Sequence, residues 1–596
     1  MNCALMCNIT RINSIEKEGI FMWKKTLAFT AALGMLFQTI PFCTATAAEI
    51  RYEAEDAALT GKLECISESS ASGGKVVGKF ANSDDVITFT VNIPADGAYD
   101  LIINSMGYGG DKTNKISIDG TYVGTFVTKA EVYNDAVLSR VIMKAGTHKI
   151  SITKSWGCIA VDYLKIIPAE TIPDSAYQVS KTLSDPNATA ETKALFSYLC
   201  DGYGKQVLSG QVADDGLDSN EFKAIYEVTG KKPAILGLDM MRYTPSRNAF
   251  GDPNFKAVER AVDFHNENGI VTFCWHWNSP GMYLKSGNDE ENGNPRWWGG
   301  FYTRNTTIDI EAIMNGKDKK GLEAIDADIA GIAKQLLRLQ DAGVPVLWRP
   351  LHEASGGWFW WGAKGAEAYK KLYIYLYDQL TNKYGCHNLI WVWNGQNPNW
   401  YPGDKYVDVI GEDLYLDKHS YSASASKFSE ILEYSKGKKM IALSENGVVF
   451  DIDNVIASGT KWAWFGTWNG NFITKNGKFS DEYTEAYVLK KTYQSKYVIT
   501  LDELPDWSTY SAGTTPMSYY TAGDANCDGT VDLADVVLVL KVISDPGKYG
   551  EKGTNATHIT VQGAKNADVY ERGSGLTSQD AIEIQRYLLK MVHSLK

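Results

Sequence analysis

Long apolar runs are almost missing from this sequence. The one stretch able to enter a membrane is 26–40, near the N-terminus, so a polytopic membrane protein is excluded. Positive charge is also scarce. Lys+Arg 59 against Asp+Glu 71 leaves a formal −12, which argues against nucleic acid or an anionic membrane as partner. Uncharged partners fit better. Cysteine is thin, nine in 596 residues with no C-x-x-C spacing, so neither a zinc ribbon nor a disulfide scaffold is implied. The zinc motif H-E-x-x-H fails as well, because His352-Glu353 is followed by Gly356.

What is abundant is aromatic surface, 12% of residues. Fourteen of the 17 tryptophans lie between Trp275 and Trp468. A tryptophan-rich core explains part of this cluster. The rest suits stacking against sugar rings, because Trp is rarely fully buried. The chain length is that of about four domains. Lys24-Lys25, the apolar 26–40 and Ala45-Thr46-Ala47 read as a secretory signal. Translation is expected to start at Met22 and the mature, extracellular chain near Ala48, leaving 1–47 as upstream extension and signal. Of the six cysteines beyond it, Cys65 and Cys158 are a possible pair that spacing does not decide.

Three regions follow. Over 48–168, strands at 85–91, 99–104, 115–119, 148–153 and 159–166 alternate in polarity between Gly, Asn and Asp turns, the pattern of an antiparallel β-sandwich. Over 173–500, strands alternate with helical stretches such as 325–341 and 366–384. Eight strands, at 206–209, 234–238, 270–275, 344–349, 389–393, 407–410, 440–444 and 462–466, fit a (β/α)8 barrel. A doubly wound sheet is the rival, but no G-x-G-x-x-G follows the first strand. A Thr/Ser/Tyr/Pro linker at 501–521 leads to a small unit, 522–596. The fold class is therefore multidomain: an all-β sandwich, an α/β (β/α)8 barrel and a small helical calcium-loop unit.

Barrel chemistry sits where the strands end. Strand four runs into Trp348-Arg349-Pro350-Leu351-His352-Glu353, and strand seven into Ser444-Glu445-Asn446-Gly447. Strand six ends in Glu412-Asp413-Leu414-Tyr415, strand eight in Thr467-Trp468, and His276 follows strand three. Two carboxylates across one tryptophan-rich mouth point to glycosidic cleavage, one protonated as acid and the other ionised. Sequence alone leaves retaining and inverting chemistry open. Asp408 and Glu412 read as structural.

Trp348 to Glu353, continuing Ala354-Ser355-Gly356-Gly357-Trp358-Phe359-Trp360-Trp361-Gly362, resembles glycoside hydrolase family 26, chiefly endo-β-1,4-mannanases. That resemblance implies a retaining double displacement with Glu353 as acid/base and Glu445 as nucleophile, carboxyls about 5–5.5 Å apart. By the same resemblance His352 hydrogen-bonds the sugar and is oriented by Asp413. Tyr415 and Arg349 hold Glu445, Trp468 is the sugar floor and Trp358 the leaving-side platform. Trp297 or Trp298 lines the far side. His276, from its place after strand three, is expected to hydrogen-bond substrate, a core histidine being the alternative.

The first region, opening Tyr52-Glu53-Ala54-Glu55 and closing Ser155-Trp156 to Asp162, is similar to carbohydrate-binding module family 35. Glu53, Glu55 and Asp162 would then hold a structural calcium ion. Trp156 would be the sugar platform, with Tyr108 and Asn114 as helpers. In the last region, Asp524, Asn526, Asp528, Thr530, Asp532 and Asp535 occupy positions 1, 3, 5, 7, 9 and 12 of a calcium loop. With a second, altered loop holding Asn566, Asp568 and Asp580, the unit resembles a dockerin, which implies a cohesin on a scaffold protein and a cellulosome. No catalytic cofactor, nucleic acid or membrane partner is expected, and the catalytic unit reads as monomeric. Competing readings are a xylanase or mixed-linkage β-glucanase on the same barrel, and a non-catalytic mannan-binding scaffold component.

Overall fold

The computed structural model describes residues 50–252, 256–510, 522–527, 530–555, 557–592 and 595, apart from the side chains of Trp156, Thr509 and Gln562. The signal reading at 1–47, the sugar-platform role of Trp156, most of the 501–521 linker and the calcium ligand Asp528 therefore lie outside the described residues. No helix among the described residues is long and apolar enough to cross a membrane.

The expected sandwich is present. One antiparallel sheet runs in the order Glu64–Ser67, Lys75–Gly78, Ile159–Pro168, Gly97–Gly107, Asn134–Met143, with Ile50–Glu53 also on Ile159–Pro168. The other runs Ala58–Thr60, Val86–Ile93, Gly146–Trp156, Lys112–Ile118, Thr121–Thr128. Alternate residues such as Ile87, Phe89, Val91, Ile150 and Ile152 are buried between the sheets, as period-two patterning requires. Cys65 and Cys158 are unpaired.

Eight parallel strands close the barrel: β1 Gly210–Val212, β2 Ile235–Asp239, β3 Ile270–Trp275, β4 Val346–Pro350, β5 Leu389–Trp393, β6 Val409–Leu414, β7 Met440–Asn446 and β8 Phe465–Thr467. The first expected strand is displaced. Val207–Leu208 pairs with Val498–Ile499 outside the barrel, and Gly210–Val212 takes the wall. Gly210 is required there, because a Cβ would lie 2.5 Å from the Phe465 carbonyl oxygen of the closing strand. Nine of the clustered tryptophans, among them Trp275, Trp277, Trp348, Trp360, Trp391 and Trp464, are fully buried; they are core, not sugar platforms. Residues 501–510, read as linker, pack on the barrel instead: Leu504, Trp507 and Tyr510 are buried, and the Trp507 indole donates to the Asn268 carbonyl at 3.0 Å.

In the C-terminal unit, helices Leu533–Ser544 and Ser578–Leu588 share a small core of Val536, Val539, Ala581 and Ile584. Asp535 folds back to accept from the N–H groups of Asn526 and Asp532, at 3.0 and 2.8 Å. Asp580 does the same in the second loop, accepting from Val569 and Tyr570, both at 2.8 Å. Each helix thus starts on a capping box that closes its loop.

Candidate active site

The polar side chains foreseen at strand ends meet at one mouth. Glu445 is the penultimate residue of β7, and Asp413 lies beside it on β6. The β6–β7 register slips at this point, so Asp413 pairs with Glu445 and not with Ser444. Both carboxylates then reach one buried guanidinium. Arg349, at the end of β4, donates to Asp413 Oδ2 at 2.8 Å and to Glu445 Oε2 at 2.5 Å. The two anions raise the Arg349 pKa despite its complete burial. The Tyr415 hydroxyl donates to the other Glu445 oxygen. Beside the Glu445 charge and in a desolvated position, that phenol is held far above its ordinary pKa.

Glu353 stands three residues beyond β4, in the left-handed region at φ 52°, as does Leu351 at φ 54°. Such backbone in bulky residues costs free energy and persists only where surroundings hold it. Here the Asn394 carbonyl accepts the Glu353 N–H at 2.8 Å. The carboxyl takes an indole N–H from Trp358 at 2.9 Å. Burial raises the Glu353 pKa, and the Glu445 charge raises it further. Single oxygens of Glu353, Asp413 and Glu445 all lie within 4.8 Å of one another. The surroundings of Glu353 thus favour its neutral form, and Glu445 is pinned to a cation.

The histidines depart from the expected pairing. Asp413 is bonded to Arg349, Asn394 and Ser444, and does not orient His352. The His352 Nδ1 has no partner, and its ring packs on Phe359 and edge-on to His276. Burial lowers the His352 pKa, as do the charges of His276 and Arg349, so the imidazole is neutral. The carboxylate–imidazole pair belongs to His276, whose Nδ1 lies 2.6 Å from Asp239 Oδ2 at the end of β2. Burial opposes the cation there, but Asp239 raises the His276 pKa overall.

The aromatic residues named as lining stand beyond the ends of β3, β4 and β8. Trp468 follows β8, its N–H on the Asn446 carbonyl at 2.9 Å, and lies 5.9 Å from the His276 ring. Trp358 is 45% exposed. On the β3 loop, Trp298 is exposed above the buried Arg247, whose guanidinium carbon is 4.2 Å from the ring centre. Trp297 stacks on Phe250 at 5.3 Å with 4° between planes. The two indoles meet edge to face, 5.4 Å apart with 75° between planes. Asp408 accepts from Ser184 and Trp391 N–H groups, and Glu412 is buried 3.9 Å from Lys427; both serve the wall.

Residues 184–503, more than half of the chain, match the profile of Glycosyl hydrolase family 26. The chain belongs to glycosyl hydrolase family 26. Residues 50–169 match Carbohydrate binding module (family 35). Among relatives of this family 26 enzyme, a mannan endo-1,4-beta-mannosidase of Thermothelomyces thermophilus is 38% identical over 458 residues, 76% of this chain and 90% of that protein. A Podospora anserina GH26-CBM35 beta-(1,4)-mannanase structure aligns with TM-score 0.55 and 37% identity, covering 77% of this chain and 99% of that one. A ruminal GH26 endo-beta-1,4-mannanase structure gives TM-score 0.56, 30% identity, and coverage of 76% and 98%.

Sequence reasoning about this family 26 barrel missed Asp239, Asn394, Ser444 and Phe250. Asp239 and Asn394 also end strands, which is a signal the sequence carried; Ser444 acts only through the β6–β7 slip. In the family 35 module, the Ser72 hydroxyl is 2.7 Å from both Glu53 Oε2 and Asp162 Oδ1. Glu55 Oε2 is buried without a partner, and a Cβ on Gly73 would meet Glu55 Oε1 at 2.5 Å. The three carboxylates surround this Ser72-Gly73 turn, a donor set suited to a hard cation. Their oxygens are not drawn together as those of Glu353, Asp413 and Glu445 are.

Proposed function

We propose that this chain is a secreted endo-β-1,4-mannanase that cleaves internal mannosidic bonds of mannan, glucomannan or galactomannan with retention. The observation that carries the mechanism is the approach of Glu353 and Glu445 oxygens to within 4.8 Å. That is shorter than the roughly 6.5–9.5 Å carboxyl separation that inversion needs and is in keeping with the about 5–5.5 Å of double displacement.

The steps follow from the environments. Glu445, held by Arg349 and Tyr415, attacks the anomeric carbon while Glu353 gives its proton to the departing glycosidic oxygen. A C–O bond to Glu445 forms as the glycosidic bond breaks. Glu353, now ionised, then takes a proton from a water that attacks the same carbon and frees Glu445. Neutral His352 offers its ring to a sugar hydroxyl, Trp468 supplies the floor, and Trp358 the leaving side. The mannan substrate is taken from the relatives' activities and the aromatic mouth.

The flanking units extend this reading. The sandwich would hold polysaccharide, with Glu53, Glu55 and Asp162 binding calcium. The C-terminal unit would act as a dockerin, binding calcium through Asp524, Asn526, Asp528, Thr530, Asp532 and Asp535. Leu533, Val537, Leu540 and Ile543 are exposed on one face of its first helix, an apolar surface suited to a cohesin.

Reducing-sugar release from glucomannan, galactomannan, xylan and barley β-glucan tests the assignment, comparing wild type with Glu445→Ala and Glu353→Gln. We expect release from the mannans alone, lost by at least about a thousandfold in both variants. Release confined to xylan or β-glucan would overturn the substrate, and activity surviving both variants would overturn the roles.

A further inference from the structure

Asn394 follows β5 and is completely buried, and all four of its side-chain contacts point at the catalytic groups. Its Nδ2 donates to Asp413 Oδ1 at 3.2 Å and to Ser444 Oγ at 3.1 Å. Its Oδ1 accepts from Arg349 Nη1 at 3.4 Å and from the Glu353 N–H at 3.3 Å. The same N–H is also taken by the Asn394 backbone carbonyl at 2.8 Å. The amide is therefore fixed in orientation, with its donor end on an anion and its acceptor end on a cation and a peptide N–H. No other side chain among the described residues bonds both to the backbone of Glu353 and to the guanidinium that holds Glu445.

We propose that Asn394 is the positioning residue that ties the two catalytic carboxyls into one unit, holding the left-handed turn of Glu353 on one side and the Asp413–Arg349–Glu445 chain on the other. The proposal rests on the acid/base and nucleophile roles given above. Its logic is geometric. Glu353 stands on a turn that its own side chain disfavours, and the Arg349 fork reaches Glu445 correctly only while Asp413 stays in place. An uncharged amide offers donor and acceptor together, so it can bond the Asp413 anion and the Arg349 cation at once.

The test uses Asn394→Ala and Asn394→Asp in the full chain. Removing the amide is expected to lower kcat about a hundredfold, as small misplacements of catalytic groups do, with KM within a factor of about three. The loss should shrink on an aryl β-mannobioside whose phenolate departs without protonation, because Glu353 is then less needed. Asn394→Asp separates positioning from mere packing. The ionised carboxylate would face Asp413 Oδ1 where an N–H stood, with Arg349 already shared between Asp413 and Glu445, Glu353 on the adjoining turn and only the neutral Ser444 from β7. Protonated, it is nearly isosteric with Asn and again donates to Asp413. Its kcat/KM relative to wild type should therefore rise as pH falls, whereas the ratio for Asn394→Ala should stay flat. Wild-type kcat in Asn394→Ala, or a flat ratio for Asn394→Asp, would overturn the proposal. If Asn394→Ala fails to fold, as thermal melting would reveal, the pH ratio of Asn394→Asp decides alone. Activity surviving in Glu353→Gln or Glu445→Ala would instead sink the underlying roles.

Discussion

Glu353 and Glu445 differ in electrostatic environment, and the proposed division of labour between them rests on that difference. Both are carboxylates at strand ends, and they differ in what faces them. Burial and a neighbouring anion favour the neutral form of Glu353, whereas Glu445 lies on a guanidinium and a phenol O–H. Since the Glu445 charge is one cause of the raised Glu353 pKa, Glu445→Gln should lower it. A carboxyl titration followed by NMR should move to lower pH in that variant; an unchanged titration would mean that burial alone sets the value. Arg349→Lys should cut kcat/KM about tenfold or more, because an ammonium cannot span Asp413 and Glu445 as a planar fork does. Steady-state rates on a soluble mannan check this. The two glutamates could be named as candidates from sequence because both stand at the ends of expected strands. The sequence did not announce that Asp413 would bond Arg349 rather than His352, since that depends on a one-residue slip between β6 and β7.

Loops and strands were legible to different degrees. The β5 strand falls where β-branched and aromatic content place it, at Leu389–Trp393, because it is a run of apolar residues between polar breaks. The first barrel strand did not, because 206–212 contains two short extended pieces. The second piece enters the wall because it pairs with β2 on one side and β8 on the other. The tryptophan cluster misled in proportion to its burial, since composition counts indoles without saying which way a strand turns them. The loop from Ala354 to Gly362 carries Trp358 and closes on Gly362. A Cβ on Gly362 would lie 1.9 Å from the Ala354 carbonyl oxygen, and neither backbone can yield cheaply. Gly362→Ala should therefore cost about 1–3 kcal/mol of stability and lower kcat/KM as Trp358 and Glu353 shift. Thermal melting and rates on the same preparation test it; an unaltered variant would mean the loop adapts freely.

At the scale of the whole molecule, the sandwich is fastened to the barrel by polar contacts. Arg140, itself at φ 60°, donates to the Ser458 carbonyl at 2.5 Å and to that of Glu170. Lys115 meets Asp417 at 3.2 Å on the loop that follows Tyr415. Arg140→Ala should uncouple the two domains, splitting one calorimetric transition into two; a single unshifted transition would mean the contact contributes little. The buried indoles give this chain a further property. Trp275, Trp277, Trp348, Trp360, Trp361, Trp391, Trp393, Trp462 and Trp464 are shielded from water, so they will dominate a blue-shifted intrinsic emission. An added oligosaccharide can touch only the minority of emitters at the mouth. Fluorescence will thus register the melting of the barrel sharply, while ligand titrations will be readable only as a small difference against that bright, indifferent background.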